Sequence, residues 1–224
     1  MTSVRIKICG LFRDEDIEYV NEAGPDYIGF VFAESRRRVS PAQAARLRRK
    51  LADGIVPVGV FVNAPEESIA ALYRDGIIGI AQLHGAEDDE YIARLKNATG
   101  VNGANGEGRG ILPIPVIKVF RNDEILSPDK GTSEKCALLA ANSDYYLIDS
   151  GAGSGKTFDW NLIDSQKLKK PWFLAGGINI ENIARAMALA PFAVDLSGGA
   201  ETDGVKDREK IMQLTAITRR GSVL

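Results

Sequence analysis

Cys9 and Asp149 are the residues of this chain best suited to moving a proton. Cys9 closes the β-branched run Val4-Arg5-Ile6-Lys7-Ile8, and Asp149 follows the apolar pair Leu147-Ile148. A thiol, with a reference pKa of ~8.5, becomes a useful base or nucleophile beside a cation. With a carboxylic acid opposite, it makes a base/acid pair for shifting a proton between neighbouring carbons. The plainer alternative for an isolated cysteine is a small buried side chain that fills space. An aspartate in that place could instead cap a turn. Two glycine pairs suggest where an anion would bind: Gly176-Gly177, and Gly198-Gly199 after Asp195-Leu196-Ser197. Glycine lets a backbone approach closely and aim its N–H groups at a phosphate. The basic run Arg36-Arg37-Arg38 and the single histidine, His84, complete the set.

Elements must bring these residues together. Short β-branched runs alternate with helical stretches along the whole chain. Strands are expected at Val4–Cys9, Tyr27–Phe32, Val56–Val62, Ile77–Leu83, Pro115–Phe120, Tyr145–Ile148, Pro171–Leu174 and Phe192–Leu196. Helical patterns cover about Asp14–Ala23, Asp88–Ala98, Ile180–Ala190 and Asp207–Arg219, with a weaker one near Ser133–Ala141. Ser40-Pro41-Ala42-Gln43 reads as a helix start, with Ser as cap, Pro at the first position and Gln able to reach back. Asn63-Ala64-Pro65-Glu66 is a second start signal. Unbroken strand–helix alternation argues for a parallel sheet, and eight units in this length for a single (β/α)8 TIM barrel over residues 1–224. In that barrel the loops after the strands build the active face. Alternation along strand one sends Lys7 and Cys9 inward and Ile6 and Ile8 out beneath the helices. Loops seven and eight, which carry the glycine pairs, form the recurrent phosphate site of these barrels.

Composition narrows the partners. Lys and Arg total 28 against 30 Asp and Glu, a net charge of -2, so no bulk field points to nucleic acid or an anionic membrane. The two cysteines, Cys9 and Cys136, are far apart and fit a reducing compartment better than a disulfide framework. One histidine leaves no His cluster for zinc or iron. No apolar run approaches the ~20 residues of a membrane span, and the N-terminal residues lack a signal-peptide core. The expectation is a cytoplasmic protein with a small-molecule partner and no metal.

An ordered set of motifs adds to this reading. Lys7-Ile8-Cys9-Gly10, Asp26-Tyr27-Ile28-Gly29-Phe30, Val58-Gly59-Val60-Phe61-Val62-Asn63 and Gln82-Leu83-His84-Gly85 come first. Ile117-Lys118-Val119-Phe120, Leu147-Ile148-Asp149-Ser150, Gly155-Lys156-Thr157-Phe158-Asp159-Trp160, Leu174-Ala175-Gly176-Gly177, Asp195-Leu196-Ser197 and Lys206-Asp207 follow. From about Ile6 to Ile211 the chain resembles the phosphoribosylanthranilate isomerases of tryptophan biosynthesis. The resemblance implies an Amadori rearrangement of a phosphorylated small molecule, without metal or organic cofactor, in a monomer or homodimer. It makes Cys9 the general base and Asp149 the general acid. Arg37 aligns with the arginine that meets the substrate carboxylate, although Arg36 stands where proline is usual. His84, Gly176, Gly177, Asp195, Ser197 and Gly198 become expected substrate-binding residues, with Gly198 in place of the family's second serine. Val101–Gly110 reads as an insertion before strand five. A related histidine-pathway isomerase is disfavoured, because its strand one ends in aspartate.

Overall fold

The structure is a computed structural model that describes residues 4–100, 112–121, 140–149, 160, 163 and 168–221. Eight parallel strands close into a barrel in sequence order: β1 (Arg5–Cys9), β2 (Tyr27–Val31), β3 (Val56–Phe61), β4 (Ile80–Leu83), β5 (Val116–Arg121), β6 (Tyr145–Asp149), β7 (Trp172–Ala175) and β8 (Ala193–Leu196). Strand β1 pairs with both β2 and β8, which closes the ring. The described helices are α1 (Asp14–Ala23), α2 (Pro41–Arg48), α3 (Glu66–Arg74), α4 (Asp89–Thr99), α5 (Ile183–Ala188) and α6 (Arg208–Arg220). After β8 come a 3-10 turn, Gly198–Ala200, and a small hairpin of β9 (Glu201–Thr202) and β10 (Val205–Lys206). The helix expected near Ser133–Ala141, the insertion at 101–110, Cys136 and the 151–156 loop lie outside the described residues, apart from 140 and 141.

Strand alternation divides the apolar residues into two cores. Tyr27, Val58, Ile80, Ile117, Leu147 and Phe173 fill the barrel interior, with Tyr27 and Phe173 meeting edge to face at 5.6 Å. Ile6, Ile8, Ile28, Phe30, Ile148 and Leu174 point outward and pack with helix residues such as Ile17, Leu47, Ile69 and Ile92. Burying large aliphatic side chains on both faces of each strand is what keeps a parallel sheet out of water.

Three local expectations need correction. The fourth strand begins at Ile80, not Ile77, because the N–H groups of Ile77 and Ile78 donate to Leu72 O and close α3. Helix α5 begins at Ile183, not Ile180. The Asn179 side chain accepts from Glu181 N and Asn182 N, and Asn182 Oδ1 accepts from Asn179 N, which holds 179–182 in a turn. At α2, Ser40 caps Gln43 N as expected, but the Gln43 amide does not reach back. It donates to Phe12 O at 2.7 Å and ties α2 to the loop after β1.

Candidate active site

The inward face of β1 builds the floor. Lys7 is fully buried, and its ammonium donates to Asp195 Oδ2 on β8 at 2.8 Å and to Gln82 Oε1 on β4 at 2.9 Å. Burial opposes that charge, but attraction to Asp195 and Cys9 more than offsets it and raises the lysine pKa. Two residues on, Cys9 faces the same interior, in register with Gly29 of β2. A Cβ on Gly29 would lie 2.5 Å from Cys9 Sγ, so glycine there makes room for the thiol. Burial pushes the Cys9 pKa up, with Asp195 adding to the rise, while Lys7 and Lys206 pull it down without overcoming the rise. Asp195 Oδ1 is buried and has no hydrogen-bond partner among the described residues.

Above the floor, the arginine run crosses to the hairpin after β8. Arg37 reaches Glu201 through Nε at 2.6 Å and Nη2 at 2.7 Å, and Arg36 reaches the same carboxylate at 2.6 Å. Arg38 instead pairs with Glu34 at the surface. Gly10, with φ of 86°, lets the arginine pass: a Cβ there would sit 2.4 Å from Arg37 Cδ. Lys206 adds a bond to Glu201 at 2.6 Å. Burial would raise the Glu201 carboxyl, but hydrogen bonds from Arg37 and Lys206 prevail and hold it at about 2. Loops seven and eight then meet edge to edge, since a Cβ on Gly199 would fall 1.9 Å from Ile178 O. Gly176 and Gly177 take φ of 95° and 66°, a region open chiefly to glycine. Ser197 Oγ donates to Cys9 O at 3.2 Å and links loop eight to β1.

On the far side, Asp149 ends β6, and His84 follows β4, with Nε2 at 3.7 Å from Asp149 Oδ2. Burial lowers the histidine pKa further than Asp149 raises it, which favours the neutral ring. A buried carboxylate braces this loop. Glu87 accepts from Asn63 N and Gly85 N, and Lys118 Nζ binds both Gly85 O at 2.7 Å and Glu87 at 3.3 Å.

All the expected site residues line one cavity of about 750 Å³: Cys9, Arg37, His84, Asp149, Gly176, Gly177, Asp195, Ser197 and Gly198. A second cavity of about 520 Å³, between Phe32, Phe61, Ala64 and Leu72, contains none of them. Reasoning from sequence placed Lys7 inside the barrel but gave no role to Glu201, Gln82, Glu87 or Lys118. Lys7 and Gln82 could have been paired from strand alternation; the others depend on contacts between distant loops. Among the described residues no His, Cys, Asp or Glu cluster could hold a metal ion. No helix among them is long and apolar enough to cross a membrane.

A closed parallel barrel with ionisable groups gathered at the carboxyl ends of its strands is the arrangement of a TIM-barrel enzyme. A family model described as N-(5'phosphoribosyl)anthranilate (PRA) isomerase matches residues 6–216. The N-(5'-phosphoribosyl)anthranilate isomerase of Endomicrobium trichonymphae is 42% identical, over 96% of this chain and 98% of the relative. The crystal structure of the Thermus thermophilus phosphoribosyl anthranilate isomerase superposes with a TM-score of 0.76 at 31% identity, covering 99% of this chain and 100% of that one. Another isomerase structure, at 30% identity and TM-score 0.75, covers 97% of this chain and 99% of its own. It holds reduced 1-(o-carboxyphenylamino)-1-deoxyribulose 5-phosphate. The chain belongs to the phosphoribosylanthranilate isomerase family.

Proposed function

We propose that the protein converts N-(5-phosphoribosyl)anthranilate into 1-(2-carboxyphenylamino)-1-deoxyribulose 5-phosphate, a step of tryptophan biosynthesis, with Cys9 as general base and Asp149 as general acid. The observation that carries this reading is the single cavity that joins the thiol, the carboxyl group, the glycine loops and Arg37. Asp149 protonates the ring oxygen of the ribose, the C1–O bond breaks, and the nitrogen lone pair forms a C=N bond to C1. Cys9, as thiolate, takes the proton from C2. The C–H electron pair becomes a C1–C2 double bond, and the iminium pair returns to nitrogen. The enolamine then loses its hydroxyl proton and gains one at C1, giving the ketone.

Gly177, Gly198 and Gly199 offer backbone N–H groups for the phosphate, since none donates to a partner among the described residues. Gly176 shapes the same loop, and Ser197 fixes it to β1. Asp195 Oδ1, buried and unpaired, suits a sugar hydroxyl, which would satisfy it. His84, neutral beside Asp149, lines the acid side. Arg37 meets the anthranilate carboxylate. No step needs a metal or organic cofactor.

The test is turnover of freshly generated phosphoribosylanthranilate by the wild type and by Cys9→Ala and Asp149→Asn. General acid–base groups typically contribute ~10²–10⁴-fold, and each variant should lose kcat on that scale while remaining folded. Near-normal kcat in either variant would refute its assigned role.

A further inference from the structure

Glu201 touches none of the reacting groups, yet its carboxylate is completely engaged. Oε1 accepts from Arg37 Nε and Lys206 Nζ, each at 2.6 Å, and Oε2 accepts from Arg36 Nη2 at 2.6 Å and Arg37 Nη2 at 2.7 Å. Only 4% of its side chain is exposed, against 19% for Arg37 and 57% for Arg36. Three cations on one carboxylate leave the cluster positive at the cavity edge. The guanidinium of Arg37 is gripped along its Nε/Nη2 edge, and Nη1 has no partner among the described residues. The stem of Arg37 is confined as well, because it crosses Gly10 and its Nη2 lies 4.0 Å from where a Cβ on Gly198 would be. Arg36 is held away on the hairpin, where a Cβ on Gly204 would fall 2.3 Å from its Nη1. Arg38 points to Glu34 outside the cavity.

We propose that Glu201 is a positioning residue, which grips Arg37 along one edge and aims its free Nη1 end at the carboxylate of the substrate's aromatic ring. The proposal rests on the reading of Arg37 given above. A free arginine side chain would lose rotamer freedom each time it met a ligand; held by Glu201, it presents a formed anion site. The two-point grip also fixes the plane of the fork, on which charge-assisted contacts to a carboxylate depend. Lys206 belongs to the same device, because it neutralises the buried carboxylate and donates to Ser197 O at 3.1 Å. Glu201 thereby favours substrates whose aromatic amine carries a carboxylate.

Two substrates test this: N-(5-phosphoribosyl)anthranilate and N-(5-phosphoribosyl)aniline, which lacks the carboxylate. For Glu201→Gln, KM for the anthranilate compound should rise about tenfold or more, with kcat nearly unchanged. KM for the aniline compound should stay at the wild-type value. Glu201→Asp, which keeps the charge but withdraws it, should fall between the two proteins and carries the comparison if the Gln variant does not fold. Calorimetric binding of the reduced product amine, with and without its ring carboxylate, should show the same selective loss. Equal losses on both substrates would make Glu201 merely structural, and no loss on either would remove its role. A wild type that neither turns over nor binds the anthranilate compound would overturn the functional reading and the proposal together, before any variant is made.

Discussion

The two sides of the cavity are held in different ways. On the β1–β8 side, Lys7 pairs with Asp195 at 2.8 Å, Ser197 Oγ ties to Cys9 O at 3.2 Å, and Arg37 and Lys206 each meet Glu201 at 2.6 Å, from the barrel floor to the hairpin. On the β4–β6 side, His84 and Asp149 are 3.7 Å apart, and each side chain is 26% exposed. The backbone after β4 is fixed by Glu87 and Lys118, while both side chains stay partly open to the cavity. The proposed base and anion-binding arginine are therefore ordered before substrate arrives. The proposed acid lies on the more exposed side of the cavity. Preorganisation is of most use where charge must be held in place, and on the β1–β8 side that means the guanidinium of Arg37.

Lys7→Met breaks the ordered side most severely. It leaves Asp195 buried with neither oxygen paired to a cation, and removing one partner of such a pair typically costs about 3–5 kcal/mol. Chemical denaturation should show a loss of that order. The thiol should respond too. Lys7 is the principal group pulling the Cys9 pKa down, so its removal should move the thiol further up. The pH midpoint for alkylation of Cys9 by iodoacetamide should shift to higher pH in the variant. An unmoved midpoint would separate the lysine from the base.

Gly29→Ala tests the same side with less damage. Its Cβ would press on Cys9 Sγ and also lie 3.1 Å from Cys9 Cα, on a backbone that needs no left-handed conformation. The thiol must shift, and misplacing a reacting group by about 1 Å can cost ~10²-fold in rate. Steady-state kcat should fall on that scale, with a stability loss of about 1–3 kcal/mol from overpacking. Gly79→Ala supplies the control, because its Cβ would meet only Val56 Cγ1 at 3.2 Å and Pro57 O at 3.7 Å, away from the thiol. If both variants lost kcat equally, the packing around Cys9 would not be what sets its action.

Residues on both sides were legible in the sequence, and the limits of that reading are physical. Period-two alternation was enough to send Lys7 and Cys9 inward, because a parallel barrel strand has an apolar outer face that leaves polar residues one place to go. The strand ends marked by His84 and Asp149 were readable from the succession of strands, since the loops after barrel strands build one face. The partner of Arg37 was not: Glu201 is 164 positions away and joins it only after the barrel closes. Gln43 shows the same limit on a smaller scale. Its spacing from Ser40 predicts a reciprocal cap, but the carbonyl of Phe12, brought near by the fold, takes the amide instead. Local rules place the strand ends, and tertiary contacts decide which side chains meet.

His84→Gln should have the smallest effect, and it sharpens the contrast. Burial favours the neutral imidazole, and at 3.7 Å its Nε2 is too far from Asp149 Oδ2 for a direct hydrogen bond. Glutamine keeps a polar group there without the ring. The loop itself should survive, since His84 N still donates to Phe61 O at 2.9 Å and Glu87 still braces Gly85. The expected fall in kcat/KM is less than about tenfold, or ~1.4 kcal/mol in the barrier. The same assay reports on the acid, because the steeper loss expected for Asp149→Asn should persist unchanged on the His84→Gln background. Additive effects would mean that the two residues act independently across their gap. A loss from His84→Gln as large as that from Asp149→Asn, without further loss in the double variant, would mean that histidine and aspartate work as one unit. The acid side would then be as tightly organised as the base side.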